Sequence, residues 1–101
     1  MKNKISNTNS SCFELVKVEP VKSLDIYNKF VNWVIGEFDL CLREEGSEEL
    51  KVYFPNGCFC IGSFKIDNDE RVYIGIKVIG KSRIVCEKIM AQLNHIIDFN
   101  K

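Results

Sequence analysis

The alternation of apolar and polar residues from position 50 to position 78 constrains the fold of this chain more than any other feature of its sequence. An apolar side chain at every second position is typical of strands that rest one face on a core and turn the other outward. Turn-forming residues interrupt the alternation at positions 55–57 and again at positions 68–70. The pattern therefore predicts three consecutive antiparallel strands joined by two hairpins.

Turn chemistry predicts how these strands are paired. Proline suits the first position of a three-residue turn and Gly57 its left-handed position, so we expect Phe54 to lie opposite Cys58. The same reasoning at the second turn places Phe64 opposite Ile74. The core face expected from this register comprises Leu50, Val52, Phe54, Cys58, Cys60, Phe64, Ile66, Val72, Ile74, Ile76 and Val78. The outward face expected from it comprises Lys51, Tyr53, Phe59, Ile61, Lys65, Arg71, Tyr73 and Lys77.

Two segments carry the 3.6-residue period of amphipathic helices. The first spans residues 24–35, with Ser23 as its N-cap and Gly36 as the left-handed residue expected to end it. The second spans residues 83–98 and follows a capping Ser82. Its apolar arc comprises Val85, Cys86, Ile89, Met90, Leu93, Ile96 and Ile97. Both helices are therefore expected to bury one face against the sheet.

The first helix has more apolar surface than packing on a sheet requires. The arc expected to face the core consists of Leu24, Tyr27, Val31, Val34 and Ile35. A second apolar stripe, beyond the polar residues, consists of Ile26, Phe30 and Trp33. Either another segment of the chain covers this stripe or a partner does, and the sequence leaves both alternatives open.

Two further segments alternate more weakly. Residues 13–18 predict an edge strand that Pro20 stops, and residues 38–42 predict a strand that an acidic turn follows. The resulting order, β-α-β-β-β-β-α, predicts an α+β fold: an antiparallel meander of four to five strands with two helices packed mainly on one face. We expect residues 12–101 to form this single domain. Residues 1–11 are polar and without periodicity, which predicts a flexible N-terminal tail.

Composition limits the classes of function. Fourteen Lys and Arg residues balance fourteen Asp and Glu residues, so no net charge draws the chain to a polyanion or an anionic membrane. No stretch has the length and apolarity of a signal peptide or a membrane span, which predicts a cytoplasmic protein without a membrane partner. The sequence is also rich in Lys, Asn and Ile, whose codons are rich in A and T, which indicates a microbial or mobile-element origin.

A metal site or a thiol nucleophile would have to be built from the five cysteines and the one histidine. An odd number of cysteines among apolar neighbours lacks the spacing of a disulfide framework, so we expect free thiols. On the second helix Cys86 falls in the apolar arc and His95 on the opposite face, so the two should not meet. Cys58 and Cys60 share the expected core face, where cysteine packs as a small apolar residue. We therefore expect no metal and no cysteine-based catalysis.

Acidic residues cluster at two turns, one around Gly46 and one at residues 67–70. Neither segment has the Asp-x-Asp-x-Asp-Gly spacing of a calcium loop, so we expect solvated turns rather than a cation site. The sequence contains no phosphate loop, dinucleotide fingerprint, GxSxG motif or HExxH motif. It thus predicts a protein that is not an enzyme and binds no cofactor.

Apolar and aromatic surface without catalytic groups predicts a small protein-binding module, which would be an inhibitor, an adaptor or an immunity-type protein, or a homodimer. The residues expected to bind a protein partner are Ile26, Phe30, Trp33, Tyr53, Phe59, Ile61 and Tyr73. The alternative ligand is a single-stranded nucleic acid or another anion, with bases stacked on aromatic side chains of the sheet. The cations expected to serve that alternative are Lys51, Lys65, Arg71 and Lys77.

Overall fold

The computed structural model describes residues 12–46, 48–66 and 68–100, so the tail predicted for residues 1–11 lies outside the described residues. In chain order the elements are β1 (Phe13–Val21), α1 (Leu24–Glu37), β2 (Arg43–Glu45), β3 (Glu49–Phe54), β4 (Gly57–Lys65), β5 (Val72–Gly80) and α2 (Arg83–Asn100). The five strands form one antiparallel sheet in the order β1-β5-β4-β3-β2. The α+β fold and the element order predicted from the sequence are confirmed.

Both helices pack on the same face of the sheet. The apolar residues buried in this layer are Val21, Tyr27, Phe30, Val34, Leu50, Val52, Phe59, Ile61, Val72, Ile74, Ile76, Val78, Cys86, Ile89, Leu93, Ile96 and Ile97. The members from β3, β4 and β5 pair with one another across the sheet, so they all point to the helix side. Burying a Val, Leu, Ile or Phe side chain contributes about 1.5–3 kcal/mol, so this layer is the main stabilising feature of the fold.

The turn between β3 and β4 is shorter than the sequence predicts. Phe54 pairs with Gly57 instead of Cys58, so the loop contains two residues rather than three. Asn56, with φ 65°, takes the left-handed conformation that we expected of Gly57. Pro55 stands at the first loop position, outside the ladder, so its missing N–H interrupts no strand pairing. The predicted three-residue turn is therefore wrong.

Because of this one-residue shift, the side chains of β4 point to the faces opposite to those predicted. The neighbouring strands β3 and β5 have the predicted orientation. Phe59 and Ile61, predicted to face outward, are fully buried, whereas Cys58 and Cys60 point to the other face. Phe64, predicted for the core, is 42% exposed. A phenyl ring and a branched aliphatic side chain bury more apolar area than two thiols. Burial of these side chains therefore outweighs the turn preference on which the predicted register depended.

Helix α1 is rotated relative to its predicted packing. Phe30 is fully buried in the core, so the chain itself covers this part of the second stripe. Ile26 packs against the edge of the core, and Trp33 stays 47% exposed. Leu24, predicted for the core, is 53% exposed. The apolar arc of α1 that meets the sheet thus includes the middle of the stripe.

The helix ends agree with the sequence at their N-termini and differ at one C-terminus. Ser23 is the N-cap residue of α1, and the Ser82 hydroxyl accepts a hydrogen bond from the Val85 N–H at 3.2 Å. Helix α1 continues through Gly36, and Phe38 is its C-cap. The predicted left-handed stop at Gly36 is therefore wrong. Within the described part of the chain, no helix is long and apolar enough to cross a membrane.

The two edge strands differ from their predicted ranges. Strand β1 continues through Pro20, which an edge strand tolerates because, among the described residues, one side of β1 has no strand partner. Residues 38–42 form turns, and the three-residue strand Arg43–Glu45 follows them. The sheet therefore has one long edge at β1 and one short edge at β2.

Candidate functional site

The sheet face opposite the helices, which we call the open face, is covered by neither helix. It comprises Glu14, Val16, Val18 and Pro20 of β1, Tyr73, Gly75, Lys77 and Ile79 of β5, Cys58, Cys60, Gly62 and Phe64 of β4, Glu49, Lys51 and Tyr53 of β3, and Glu44 of β2. An apolar sheet face normally packs against a further layer of the protein. Val16, Val18 and Phe64 instead remain 63%, 52% and 42% exposed. The open face thus carries exposed apolar side chains that the described residues do not cover.

Two glycines lie at the centre of the open face. Gly62 and Gly75 are cross-strand neighbours and contribute no side chains here, and the Phe64 ring lies over Gly75, with its Cε1 atom 3.3 Å from the position that a Gly75 Cβ would take. Val16, Val18 and Phe64 border the resulting depression, which has a volume of about 480 Å³. A depression with apolar walls can receive a protruding side chain of a partner.

The charges on the open face are of both signs and are partly paired. Lys77 Nζ lies 3.5 Å from Glu14 Oε2. Lys51 Nζ lies 5.2 Å from the centroid of the Tyr53 ring, and a hydrogen bond to Tyr53 raises the pKa of Lys51 above its ordinary value. The Tyr53 hydroxyl donates to Glu44 Oε1 at 3.1 Å. These contacts are one ion pair, one cation–π contact and one hydrogen bond, and the two lysines are interspersed with carboxylates rather than forming a continuous cationic track.

A hydrogen-bonded turn holds Tyr73 at one end of the open face. The Tyr73 hydroxyl donates to Asp69 Oδ2 at 2.6 Å, and the Arg71 backbone N–H donates to Asp69 Oδ1 at 2.9 Å. These bonds, together with the Arg71 guanidinium, lower the pKa of Asp69 from 3.8 to about 2. The Tyr73 ring stacks on Phe64, with centroids 5.6 Å apart. Tyr73 is thereby positioned before any partner binds, which reduces the entropy lost on binding.

The two thiols of the open face, Cys58 and Cys60, are partly exposed, and the five cysteines of the chain are free. Burial raises the pKa of Cys60 above its ordinary value of 9.0, and Glu49 and Cys58 add to the shift. This thiol is therefore protonated and weakly nucleophilic at neutral pH. Cys86 is fully buried, whereas His95 is exposed. Among the residues that the structure describes, no three His, Cys, Asp or Glu side chains are grouped so as to hold a metal ion.

A second, smaller apolar surface lies where α1 meets α2. Trp33 and Phe99, which are 47% and 69% exposed, contact each other edge to face with ring centroids 5.4 Å apart. They border a depression of about 320 Å³ together with Glu37, Gln92 and His95. Each ring covers part of the other, and both keep exposed area that a partner could contact.

The structure separates the seven residues predicted to bind a protein partner. The residues on the open face are Tyr53 and Tyr73. The residues in the core are Phe30, Phe59 and Ile61. The two others, Ile26 and Trp33, lie on α1. The predicted outward orientation of Phe59 and Ile61 is wrong, and Phe30 is covered by the chain itself, which is one of the two alternatives left open for its stripe. A fully buried side chain cannot contact a partner of the folded chain.

The four cations of the nucleic-acid alternative are also divided. Lys51 and Lys77 lie on the open face. Lys65, predicted to point outward, shares its orientation with the core residue Val72, with which it pairs at the end of β4. Arg71 precedes β5, and its Nη2 atom lies 3.3 Å from a carboxylate oxygen of the neighbouring turn. The four cations therefore do not line one path along the sheet.

Sequence reasoning missed the valines of β1. Val16 and Val18 point to the open face, whereas Lys17 and Glu19 point to the helix side, where they form an ion pair at 3.4 Å. The helix side of β1 also carries Leu15 and Val21, which pack in the core, so this strand is apolar on both faces. The sequence shows the alternation of β1. Only the pairing with β5 shows which of its alternate residues face the core.

No protein-family model and no curated protein matches the chain. The functional argument thus depends on the geometry of the described residues. That geometry offers exposed apolar and aromatic side chains around a depression above two glycines, with charged residues of both signs and two partly exposed thiols beside it.

Proposed function

We propose that this chain is a small, non-catalytic protein-binding module, of the inhibitor, adaptor or immunity kind, and that its interface is the open face. The observation that carries the proposal is that β1 is apolar on both of its faces. Its helix side packs Leu15 and Val21 against the core, while Val16 and Val18 stay exposed on the open face. Exposed valines gain none of the stabilisation that burial supplies. A partner protein that covers them accounts for their position.

The composition of the open face supports the same proposal. Tyrosines are enriched in protein interfaces, and Tyr53 and Tyr73 stand on either side of the glycine depression in hydrogen-bonded positions. Charged residues of both signs lie among these groups, including Lys77 on the interior strand β5, and they can pair with charges of a partner. The cytoplasm, which composition predicts, is the compartment in which we place this function.

The nucleic-acid alternative has weaker support. Lys77 and Arg71 are already paired with carboxylates, and both pairs would have to be broken or shared to bind a phosphate. Glu44 and Glu49 lie on the same face as Lys51 and would repel a phosphate backbone. A protein partner with charges of both signs avoids this repulsion.

The proposal is tested by placing charges on the open face in the native host. A tagged wild-type chain should co-purify in a stoichiometric complex, and Val16→Lys/Val18→Lys should abolish that complex. Ile84→Lys is the matched control, because Ile84 is 65% exposed, close to the 63% of Val16, and lies on α2. The control should retain the complex. A stoichiometric complex that survives Val16→Lys/Val18→Lys would show that the open face is not the interface.

A further inference from the structure

We propose that the occupant of the open face is a second copy of this chain, packed face to face about a two-fold axis that crosses the strands at right angles. The axis passes between the Gly62–Gly75 pair and the neighbouring Cys60–Lys77 pair. This inference rests on the proposed function, since it takes the open face to be a protein interface and names the partner.

Strand pairing arranges the open face in rows that run across the sheet. One central row consists of Val16, Lys77, Cys60, Lys51 and Glu44. The other central row consists of Val18, Gly75, Gly62 and Glu49. The row beyond the first consists of Glu14, Ile79, Cys58 and Tyr53, and the row beyond the second consists of Pro20, Tyr73 and Phe64. The two-fold axis places the row of Lys77 in one copy against the row of Gly75 in the second copy. It likewise places the row of Ile79 in one copy against the row of Tyr73 in the second.

This arrangement sets protruding side chains against the glycine depression. Lys77 would lie opposite Gly75 of the second copy, and Cys60 would lie opposite Gly62. On the edge strand, Val16 would lie opposite Val18. Cys60 therefore enters the space above Gly62 of the second copy, as close packing of two sheets requires, while the Phe64 ring that covers Gly75 contacts the stem of Lys77.

The charges are complementary about the same axis. Lys51 would lie opposite Glu49 of the second copy, and symmetry forms this contact twice. A two-fold axis parallel to the strands and passing through β4 would instead place Lys77 against Lys51, and two like charges brought together in an interface are strongly unfavourable. The charge pattern thus favours the axis across the strands over this parallel axis.

The outer rows meet through apolar and aromatic groups. Phe64 would lie opposite Cys58 of the second copy, an aromatic ring against a polarizable sulfur. Tyr73 would lie opposite Ile79, with its hydroxyl still bound to Asp69. These contacts extend the interface from the glycine depression to both ends of the strands.

The open face is large enough for a stable dimer. With strands about 4.8 Å apart and about 3.3 Å per residue, the five strands outline roughly 600 Å² per copy. The two copies would bury roughly 1,200 Å² together, the lower end of the range for specific interfaces. The chain has a formal net charge of zero, so two copies do not repel each other as whole molecules.

The inference is tested by exchanging the two charges that the axis brings together. Sedimentation equilibrium of the purified full chain should show a dimer. Lys51→Glu or Glu49→Lys alone should raise the dimer Kd by about tenfold or more, because each creates two contacts between like charges. The double variant Lys51→Glu/Glu49→Lys should return the Kd close to that of the wild type. Lys88→Glu, the same charge reversal on an exposed residue of α2, should leave the Kd unchanged.

The outcomes separate this inference from the proposed function. A wild-type chain that is monomeric at every concentration overturns the dimer, while a host complex sensitive to Val16→Lys/Val18→Lys still supports the open face as an interface. A dimer that resists the single reversals, or that the exchange fails to restore, overturns the proposed axis. A monomeric chain whose host complex also resists Val16→Lys/Val18→Lys overturns both proposals.

Discussion

Replacing Phe59 by alanine should destabilise the fold far more than the same replacement at Phe64, on the same strand. Phe59 is fully buried, and its ring contacts the Phe38 ring with centroids 5.0 Å apart. Removing a buried phenyl group costs about 3–5 kcal/mol of the free energy of unfolding, because apolar burial is lost and a cavity remains. Phe64 is 42% exposed and stacks mainly on Tyr73, so its loss should cost roughly 1 kcal/mol.

Urea denaturation followed by the fluorescence of Trp33, the single tryptophan, measures both costs. The protein concentration is kept low enough that association does not contribute. With a slope of about 1–2 kcal/mol per molar urea, Phe59→Ala should lower the midpoint by about 2 M or more. If this variant does not fold, Phe59→Leu gives a smaller measurable loss. Equal losses at the two positions, or a larger loss at Phe64, would refute the register of β4.

Three further predictions follow from individual residues. Because the pKa of Asp69 is lowered to about 2, the unfolded chain binds more protons than the folded chain between pH 3.8 and about 2. The urea midpoint of the wild type should therefore fall as the pH drops through this range, and the midpoint of Asp69→Asn should fall less. Parallel plots of midpoint against pH for the two chains would contradict the lowered pKa of Asp69. Gly36→Ala should stabilise the fold by about 0.5–1 kcal/mol, because Gly36 is helical and its added methyl group meets open space. Thermal denaturation measures the effect, and a lower melting temperature would indicate that Gly36 is left-handed. Gly57→Ala should destabilise by about 1–3 kcal/mol, because its methyl group would collide with the Ile79 carbonyl oxygen and the Phe54 ring; an unchanged melting temperature would contradict the close approach of these strands.

The element order could be predicted because burial determines the period of each segment. In β5, Val72, Ile74, Ile76 and Val78 alternate with less apolar residues, and all four are buried. One hydrophobic face of this kind fixes the orientation of a strand. The same signal placed Tyr73 and Lys77 correctly on the opposite face, which is the part of the candidate site that the sequence predicts well.

The orientation of β4 could not be predicted in the same way, because this strand is apolar at both sets of alternate positions. Phe59 and Ile61 compete with Cys58, Cys60 and Phe64 for the core. The predicted register therefore depended on the turn residues alone. The observed two-residue loop requires the left-handed conformation of Asn56, which the prediction had assigned to Gly57. The valines of β1 were missed for another reason: β1 pairs with β5, which is distant in sequence, so no hairpin indicates its register.

The open face as a protein interface is tested most directly by the alkylation of its two thiols. Rates for Cys58 and Cys60 would be measured by peptide mass spectrometry in the free chain and in the complex that it forms. Cys41, which is also partly exposed but lies on the turn after α1, is the internal control. We expect assembly to slow alkylation of Cys58 and Cys60 several-fold and to leave Cys41 unchanged. Equal rates for Cys58 and Cys60 in the free and assembled chain would contradict the open face as the interface.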